Sequence, residues 1–289
     1  MCCSGGRPRR RDEAGGALRF LYQTLPGRAI LALLCRPFVS KIVGAYMESA
    51  LSRRRIPRFI RENQLDLRDY LPEHYRSFNA FFTRRIRPDA RPIAPDGLIA
   101  PCDAKLSAYS IDRDAAFLIK GSRYTVAELL EDTALAREFE GGLCLIFRLT
   151  VDDYHRYCYI DSGEKGENQK IPGILHTVQP IALSRCNIYH RNAREYTVME
   201  TRQFGRAVQV EVGAMLVGRI CNHDGAGAIT RGTEKGYFAF GGSTIVLLLR
   251  AGAAELDAEL LENTQNGWET VVKYGEKIGT ACKNQNPGA

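Results

Sequence analysis

The sequence predicts an α+β protein with a mostly antiparallel β core, sandwich- or barrel-like, preceded by an N-terminal helical region suited to associating with a membrane. Three observations predict it. After Gly141-Gly142 the chain becomes a series of short apolar, partly β-branched runs separated by turn residues. Before Tyr70, apolar residues recur at mixed helical spacing, interrupted by Pro26 and Pro37. The charge is also lopsided: the net charge is +7, yet residues 1–61 carry 13 Arg or Lys against 3 Asp or Glu. The basic character therefore belongs to the N-terminus, and it points to an anionic partner there.

A chain of 289 residues can bury a full core. Its nine cysteines are scattered and never spaced Cys-x-x-Cys, which argues against a disulfide framework or a zinc ribbon and for a reducing compartment. No metal site is expected. There is no internal repeat and no nucleotide-binding glycine loop.

Three regions are expected: a disordered basic tail over 1–16, a helical membrane-associating region over 17–90, and a β-rich domain over 91–289. The tail is Gly, Arg and Pro with almost nothing apolar, and no apolar segment follows its arginines as a signal peptide requires. Beyond it, Phe20, Leu21, Ile30, Leu31, Phe38, Ile42 and Met47 alternate with Arg19, Arg28, Arg36 and Arg53-Arg54-Arg55. The charge-free run Ala29 to Cys35 is too short to span a bilayer. Apolar faces flanked by cations suit helices lying in the plane of an anionic membrane, or helices packed on the domain. The segment is more aliphatic than a nucleic-acid-binding arm needs to be.

A helix is expected from Tyr70 to Arg87, with Phe78, Phe81 and Phe82 on one side. Pro88, Pro92, Pro95 and Pro101 then mark a loop into the core domain. A further helix is expected from Thr125 to Phe139. Strands are expected at Leu143 to Leu149, Arg156 to Ile160, Ile174 to Val178, Tyr196 to Thr201, Ala207 to Val212, Met215 to Ile220, Tyr237 to Phe240 and Thr244 to Leu249. Residues 160–170 read as a solvated loop. Residues 253–263 read as helix, and Val271-Val272-Lys273 as a last short strand.

Gly241-Gly242-Ser243-Thr244 abuts Ile245-Val246-Leu247-Leu248-Leu249, a run that reads as a strand buried on both faces. A glycine turn held by a rigid strand can strain one peptide bond. If that bond is Gly242-Ser243, the serine hydroxyl can attack the carbonyl before it. The resulting ester can eliminate to dehydroalanine, which hydrolyses to a pyruvoyl group. A base is needed, and something to orient it. Candidates are His155, in Asp153-Tyr154-His155-Arg156 after an expected core strand, and Asp103, in Pro101-Cys102-Asp103.

Here the chain resembles the phosphatidylserine decarboxylases. The matching pieces, in family order, begin with Phe78-x-x-Phe81-Phe82-x-Arg84-Arg85, Arg91-Pro92-Ile93, Pro101-Cys102-Asp103 and Asp153-Tyr154-His155-Arg156. They continue with Thr201-x-x-Phe204-Gly205, Val212-Gly213-Ala214-x-x-Val217-Gly218 and Lys235-Gly236-Tyr237-Phe238-x-Phe240-Gly241-Gly242-Ser243-Thr244. The resemblance covers roughly residues 70–250. It implies cleavage between Gly242 and Ser243 into chains of 242 and 47 residues that remain together as a heterodimer. Ser243 becomes the covalent pyruvoyl cofactor. Phosphatidylserine condenses with it, loses its carboxylate as carbon dioxide and leaves as phosphatidylethanolamine. The resemblance makes Asp103 the acidic member of a maturation triad and places His155 near the substrate. From the basic, amphipathic N-terminus, peripheral attachment to the cytoplasmic face of a membrane is expected.

Familiar members carry a second histidine three residues after the first, where this chain has Cys158. A thiol is a weak base. His176, in the expected strand Ile174 to Val178, stands where the family usually has an aromatic residue. The expectation is that His176 hydrogen-bonds Asp103 beside Ser243, with His155 as the alternative base. Two other functions remain open on sequence: a pyruvoyl decarboxylase of a free amino acid, which would not need the basic amphipathic N-terminus, and an uncut β-rich binding module.

Overall fold

The computed structural model describes residues 8–10, 15–119, 122–177, 188–214, 219–240 and 243–282. All seven residues of Ser243–Leu249 are buried, and this strand lies in the middle of a ten-stranded sheet. It pairs antiparallel with Leu143–Leu149 on one side and Gly205–Val212 on the other. Beyond Leu143–Leu149 come Ala104–Ser110, Trp268–Val272 and Pro8–Arg10. Beyond Gly205–Val212 come Arg194–Thr201, Gly163–Lys165 and Gly227–Ile229, with Gln169–Ile171 also on Arg194–Thr201.

The α+β class with mostly antiparallel strands is therefore observed, but the sheet stays open and does not close into a barrel. Successive side chains point to opposite faces, and both faces are covered. Ile245, Leu247 and Phe147 meet Tyr157 and Phe238 from a small sheet of Arg156–Cys158, Ile220–Asn222 and Glu234–Phe238. Val246, Leu248 and Ile146 meet Leu129, Leu130 and Phe139, together with Tyr22 and Leu31 of the N-terminal helices. Cover on both faces explains why the central strands are continuously apolar.

The N-terminal region forms α1 (Gly16–Gln23), α2 (Leu25–Leu34), α3 (Pro37–Glu48) and α4 (Ile56–Glu62). Pro26 and Pro37 sit in the first turns of α2 and α3, where a missing N–H costs nothing. Thr24 caps α2 by accepting from the Gly27 N–H. Large apolar side chains remain exposed here, among them Leu25 (81 %), Phe38 (63 %) and Leu51 (65 %). Among the described residues, no single helix is long and apolar enough to cross a membrane.

Several boundaries differ from expectation. The helix expected over 70–87 contracts to α5 (Phe78–Phe82), capped by Ser77, because Tyr70 forms a bridge with Ile86 instead. The Thr125 to Phe139 helix splits at Glu131, whose φ of +53° ends one turn before Asp132 caps the next. The loop over 160–170 contains two short strands, drawn into extended form by pairing with Arg194–Thr201. Ile174 makes only an isolated bridge to Asn192, and Val178 lies outside the described residues. So do Met215–Gly218 of the expected 215–220 strand. Within the tail expected to be disordered, Pro8–Arg10 pairs with Trp268–Val272; residues 1–7 and 11–14, with Cys2 and Cys3, lie outside the described residues. Among the described residues Cys102, Cys144, Cys158, Cys221 and Cys282 are free thiols.

Leu247 is fully buried between two paired neighbours. Leu247→Ala should cost about 2–5 kcal/mol of stability, measured as a lower urea midpoint with an unchanged slope.

Candidate active site

Ser243 is the first residue of the central strand, opposite Leu149, and is 0 % exposed. Its Oγ has no hydrogen-bond partner. A buried hydroxyl left unsatisfied costs about 1–3 kcal/mol and calls for an explanation in function. Gly241 and Gly242 lie outside the described residues. The chain before them is fixed at Phe240, whose N–H donates to Asn79 Oδ1 at 2.9 Å. The Phe240 ring meets Phe78 and Phe82 edge-on, at centroid distances of 4.9 and 5.1 Å. Helix α5 thus anchors the segment that leads to Ser243.

His155 stands at the same end of the sheet, six residues beyond Leu149 along the chain. Its Nδ1 lies 2.9 Å from the Asp153 carbonyl. A carbonyl only accepts, so Nδ1 carries the proton and Nε2 presents a lone pair. Nε2 is buried and unpartnered, like Ser243 Oγ. The ring packs on Phe82 at 4.1 Å. Burial, reinforced by the nearby Arg84 charge, pushes its pKa down to about 3. His155 is therefore a neutral imidazole with an available acceptor nitrogen across the physiological range.

The turn carrying His155 is held by Asp153. Its carboxylate accepts from Lys105 Nζ at 2.6 Å and from the Thr150 N–H at 2.7 Å. Burial raises the Asp153 pKa, and Lys105 offsets part of that rise. Sequence reasoning passed over Lys105, Asp153, Phe82 and Asn79 as parts of the site. The quoted motifs contained Phe82 and Asp153, and Asn79 fell at an unspecified position of one of them, but their partners are far away in the chain.

Asp103 is 1 % exposed. It accepts from Arg91 Nε at 3.0 Å and Nη2 at 2.8 Å, from Lys273 Nζ at 3.2 Å and from the Tyr274 N–H at 2.8 Å. Burial alone would raise its pKa; Arg91, Lys273 and the Tyr274 N–H overcome that and hold the carboxyl below its usual value. Among the described residues no histidine bonds to it. Asp103 immediately precedes the Ala104–Ser110 strand, two strands from Ser243 and at the same end of the sheet. That is about 10 Å across the strands.

The expected pairing of His176 with Asp103 is not what the structure contains. His176 Nδ1 lies 3.2 Å from Tyr22 Oη and 3.3 Å from Cys35 Sγ, and its backbone is bonded on both sides to the Asn192 amide. Asn192 adjoins Arg194–Thr201, two strands beyond Ser243 on the side away from Asp103. About four inter-strand spacings, roughly 19 Å, separate the two, beyond the reach of side chains. Burial, then Arg191, lowers the His176 pKa.

Cys158 is fully buried, and burial raises its pKa to about 12, so it stays a thiol and offers no base. His223 pairs with Glu234 at 2.7 Å, on a more exposed edge. No group of three or more His, Cys, Asp or Glu among the described residues could hold a metal ion.

This sheet and site belong to a chain that matches the phosphatidylserine decarboxylase family over residues 78–280. The chain is 48 % identical over 272 residues to phosphatidylserine decarboxylase proenzyme 2 of Clostridium acetobutylicum, covering 93 % of each. It is 40 % identical over 275 residues to the phosphatidylserine decarboxylase proenzyme of Ruminiclostridium cellulolyticum, covering 92 % of each. The Clostridium perfringens proenzyme is 39 % identical over 270 residues, covering 91 % of this chain and 92 % of that one. The chain belongs to the phosphatidylserine decarboxylase family.

The buried imidazole has a consequence for stability. Unfolded, His155 takes a proton near 6.5; folded, only near 3. Between those values the unfolded state binds more protons, so stability is fully present above 6.5 and falls as pH drops toward 3. Between pH 7 and pH 5 the wild type should lose roughly 2 kcal/mol more than His155→Gln, at about 1.4 kcal/mol per pH unit below 6.5. Urea titrations at both pH values measure the difference.

Proposed function

We propose that this chain is a phosphatidylserine decarboxylase proenzyme, which cuts itself between Gly242 and Ser243 and converts phosphatidylserine to phosphatidylethanolamine and carbon dioxide. The observation that carries the reading is the buried, unpartnered hydroxyl of Ser243 at the head of the core strand, in a chain 48 % identical to a named proenzyme.

In this reading His155 Nε2 takes the Ser243 hydroxyl proton. The oxygen attacks the Gly242 carbonyl carbon and an ester C–O bond forms; the peptide C–N bond breaks as His155 passes the proton to the leaving nitrogen, which becomes the free amine of Ser243. Loss of the Ser243 Cα proton then expels the ester oxygen, so the first chain ends as the Gly242 carboxylate. Water replaces the nitrogen of the remaining dehydroalanine, ammonia leaves and a ketone stays on the second chain. The residues present fit this group, because the serine that gives rise to it is fully buried and its oxygen is committed to no other partner. That ketone supplies an electron sink for decarboxylation of a bound amine.

His155, neutral and fixed by Asp153, remains beside the substrate after cleavage to move its proton. Asp103 acts one layer away: it holds Arg91 and Lys273 and keeps a negative charge at this end of the sheet. His176 joins α1 and α2 to the sheet through Tyr22 and Cys35 and is assigned no proton transfer.

The cut chains would stay together as a heterodimer, since Ser243–Leu249 is hydrogen-bonded to strands of the larger chain on both sides. The protein would sit peripherally on the cytoplasmic face of an anionic membrane. Exposed Leu25, Phe38 and Ile42 beside Arg28, Lys41 and Arg53-Arg54-Arg55 support that attachment, and favour a lipid substrate over a free amino acid.

Purified protein should run as two chains, the smaller bearing a carbonyl that reacts with hydrazine reagents. Ser243→Ala should stay whole and inactive, and His155→Ala should cleave at least 100-fold more slowly. His176→Ala should still be cut. Intact mass separates these outcomes; a Ser243→Ala protein that decarboxylates phosphatidylserine would falsify the mechanism.

Vesicle sedimentation tests attachment. Full-length protein should bind anionic vesicles and release as salt rises from about 0.1 to 1 M, where the screening length shrinks about threefold. A chain starting near Arg68 should bind poorly; equal binding by both would move the helices from the membrane to the domain.

A further inference from the structure

Three consecutive N–H groups lead toward Ser243, and each is held from a different part of the chain. The Phe238 N–H donates to the His155 carbonyl at 2.9 Å, and the Ala239 N–H to the Arg219 carbonyl at 3.0 Å. Both flanking strands of the small sheet begin one residue later, at Arg156 and Ile220. The next N–H, that of Phe240, is taken by a side chain: Asn79 Oδ1 accepts it at 2.9 Å. Asn79 lies in α5 and is 8 % exposed.

The same amide is engaged at its other end. Its Nδ2 donates to Glu48 Oε1 at 2.6 Å. A backbone N–H only donates and a carboxylate only accepts, so the side chain between them must accept at one atom and donate at another. An amide does both; leucine does neither, and an ionised aspartate only accepts. Glu48 is the last residue of α3, whose Phe38, Ile42 and Tyr46 are exposed at four-residue spacing. Helix α5 is fixed to the same region by its backbone. The Phe78 N–H donates to the buried Ser52 Oγ at 2.8 Å, and that hydroxyl donates to the Met47 carbonyl at 2.9 Å. Asn79 therefore meets Phe240 from a support held at two points. Lys41 and Arg219 are the cations lining the cavity that Asn79 and Glu48 also line.

We propose that Asn79 is a positioning residue for self-cleavage, clamping the Phe240 backbone in place relative to His155, and that Glu48 orients its amide. The His155 carbonyl already ties the base to Phe238. The Asn79 clamp extends that tie to within two residues of the Gly242–Ser243 bond. Placement matters there, because a shift of about 1 Å between reacting atoms can cost about 100-fold in rate. Asn79 acts through the Phe240 backbone, and Glu48 acts through Asn79. The proposal rests on the proenzyme reading and adds to it a determinant of the cut carried by the N-terminal helices.

Cell-free translation followed by a chase gives the rate at which the 289-residue chain becomes two. Asn79→Leu should cut at least about tenfold more slowly, because the Phe240 N–H loses its acceptor. Asn79→Asp still accepts from Phe240 but sets a second carboxylate against Glu48. At about pH 8 it too should cut about tenfold more slowly. Like charge makes the introduced carboxyl hold its proton more tightly than usual, and once protonated it donates to Glu48 as the amide did. Its rate relative to wild type should therefore climb as pH falls from about 8 to about 5, a range in which His155 stays neutral. Glu48→Gln in the Asn79→Asp chain supplies the missing donor and should restore cutting at pH 8 to within about threefold of wild type. Circular dichroism of each variant in the uncut Ser243→Ala background checks that it folds; if Asn79→Leu does not, the Asn79→Asp series decides alone. Cutting at the wild-type rate by Asn79→Leu, or a defect in Asn79→Asp that neither low pH nor Glu48→Gln relieves, overturns the proposal. A wild type that never cuts refutes the proenzyme reading itself, whereas a wild type that cuts no faster than a folded Asn79→Leu refutes only the clamp.

Discussion

Ser243–Leu249 is paired on both edges and packed on both faces, and its position governs the rest of the molecule. A strand so held leaves its first residue almost no freedom. Ser243 therefore meets whatever lies at that end of the sheet in one fixed geometry, with water excluded. Burial that makes a lone hydroxyl costly also strengthens any charge or dipole aimed at it. The same two ladders would keep a cut chain in place, because its new terminus begins inside the sheet and not in a free loop.

Around that end, charges are arranged in layers. Asp153 with Lys105 and Asp103 with Arg91 and Lys273 fix the backbone on the Leu143–Leu149 side of the site. A third pair, Lys235 with Glu211 at 2.9 Å and both 0 % exposed, ties the Glu234–Phe238 strand to the main sheet below it. Buried pairs of this kind add little net stability, but breaking one leaves an isolated charge in a medium that cannot solvate it. They hold the register of the pieces that meet at Ser243. His155, by contrast, is kept neutral, with one nitrogen occupied and the other open.

The N-terminal helices connect this interior to the surface. Helix α5 packs Phe82 on His155 and Phe78 on Phe240, while Asn79 bonds both the Phe240 backbone and Glu48 of α3. A helix with an exposed apolar stripe is thus two side-chain contacts away from the segment that enters Ser243.

The sequence by itself determined the buried strand after Gly241-Gly242, because an unbroken run of five aliphatic residues has to be covered on both faces. It also determined the antiparallel β-rich class and the short N-terminal helices set by Pro26 and Pro37, and through ordered motifs it put forward Ser243, His155 and Asp103 as candidates. Partnership was decided only by the tertiary structure. Asp103 met Arg91, Lys273 and Tyr274 and no imidazole, since contacts 12 to 171 positions away along the chain depend on strand order, which local pattern does not encode. His176 looked suited to Ser243 by residue type, yet strand order set it on the far side of the sheet from Asp103, against Tyr22 and Cys35. The open sheet was equally hidden: closure depends on what covers the faces, and here helices and small sheets cover them before the edges can meet.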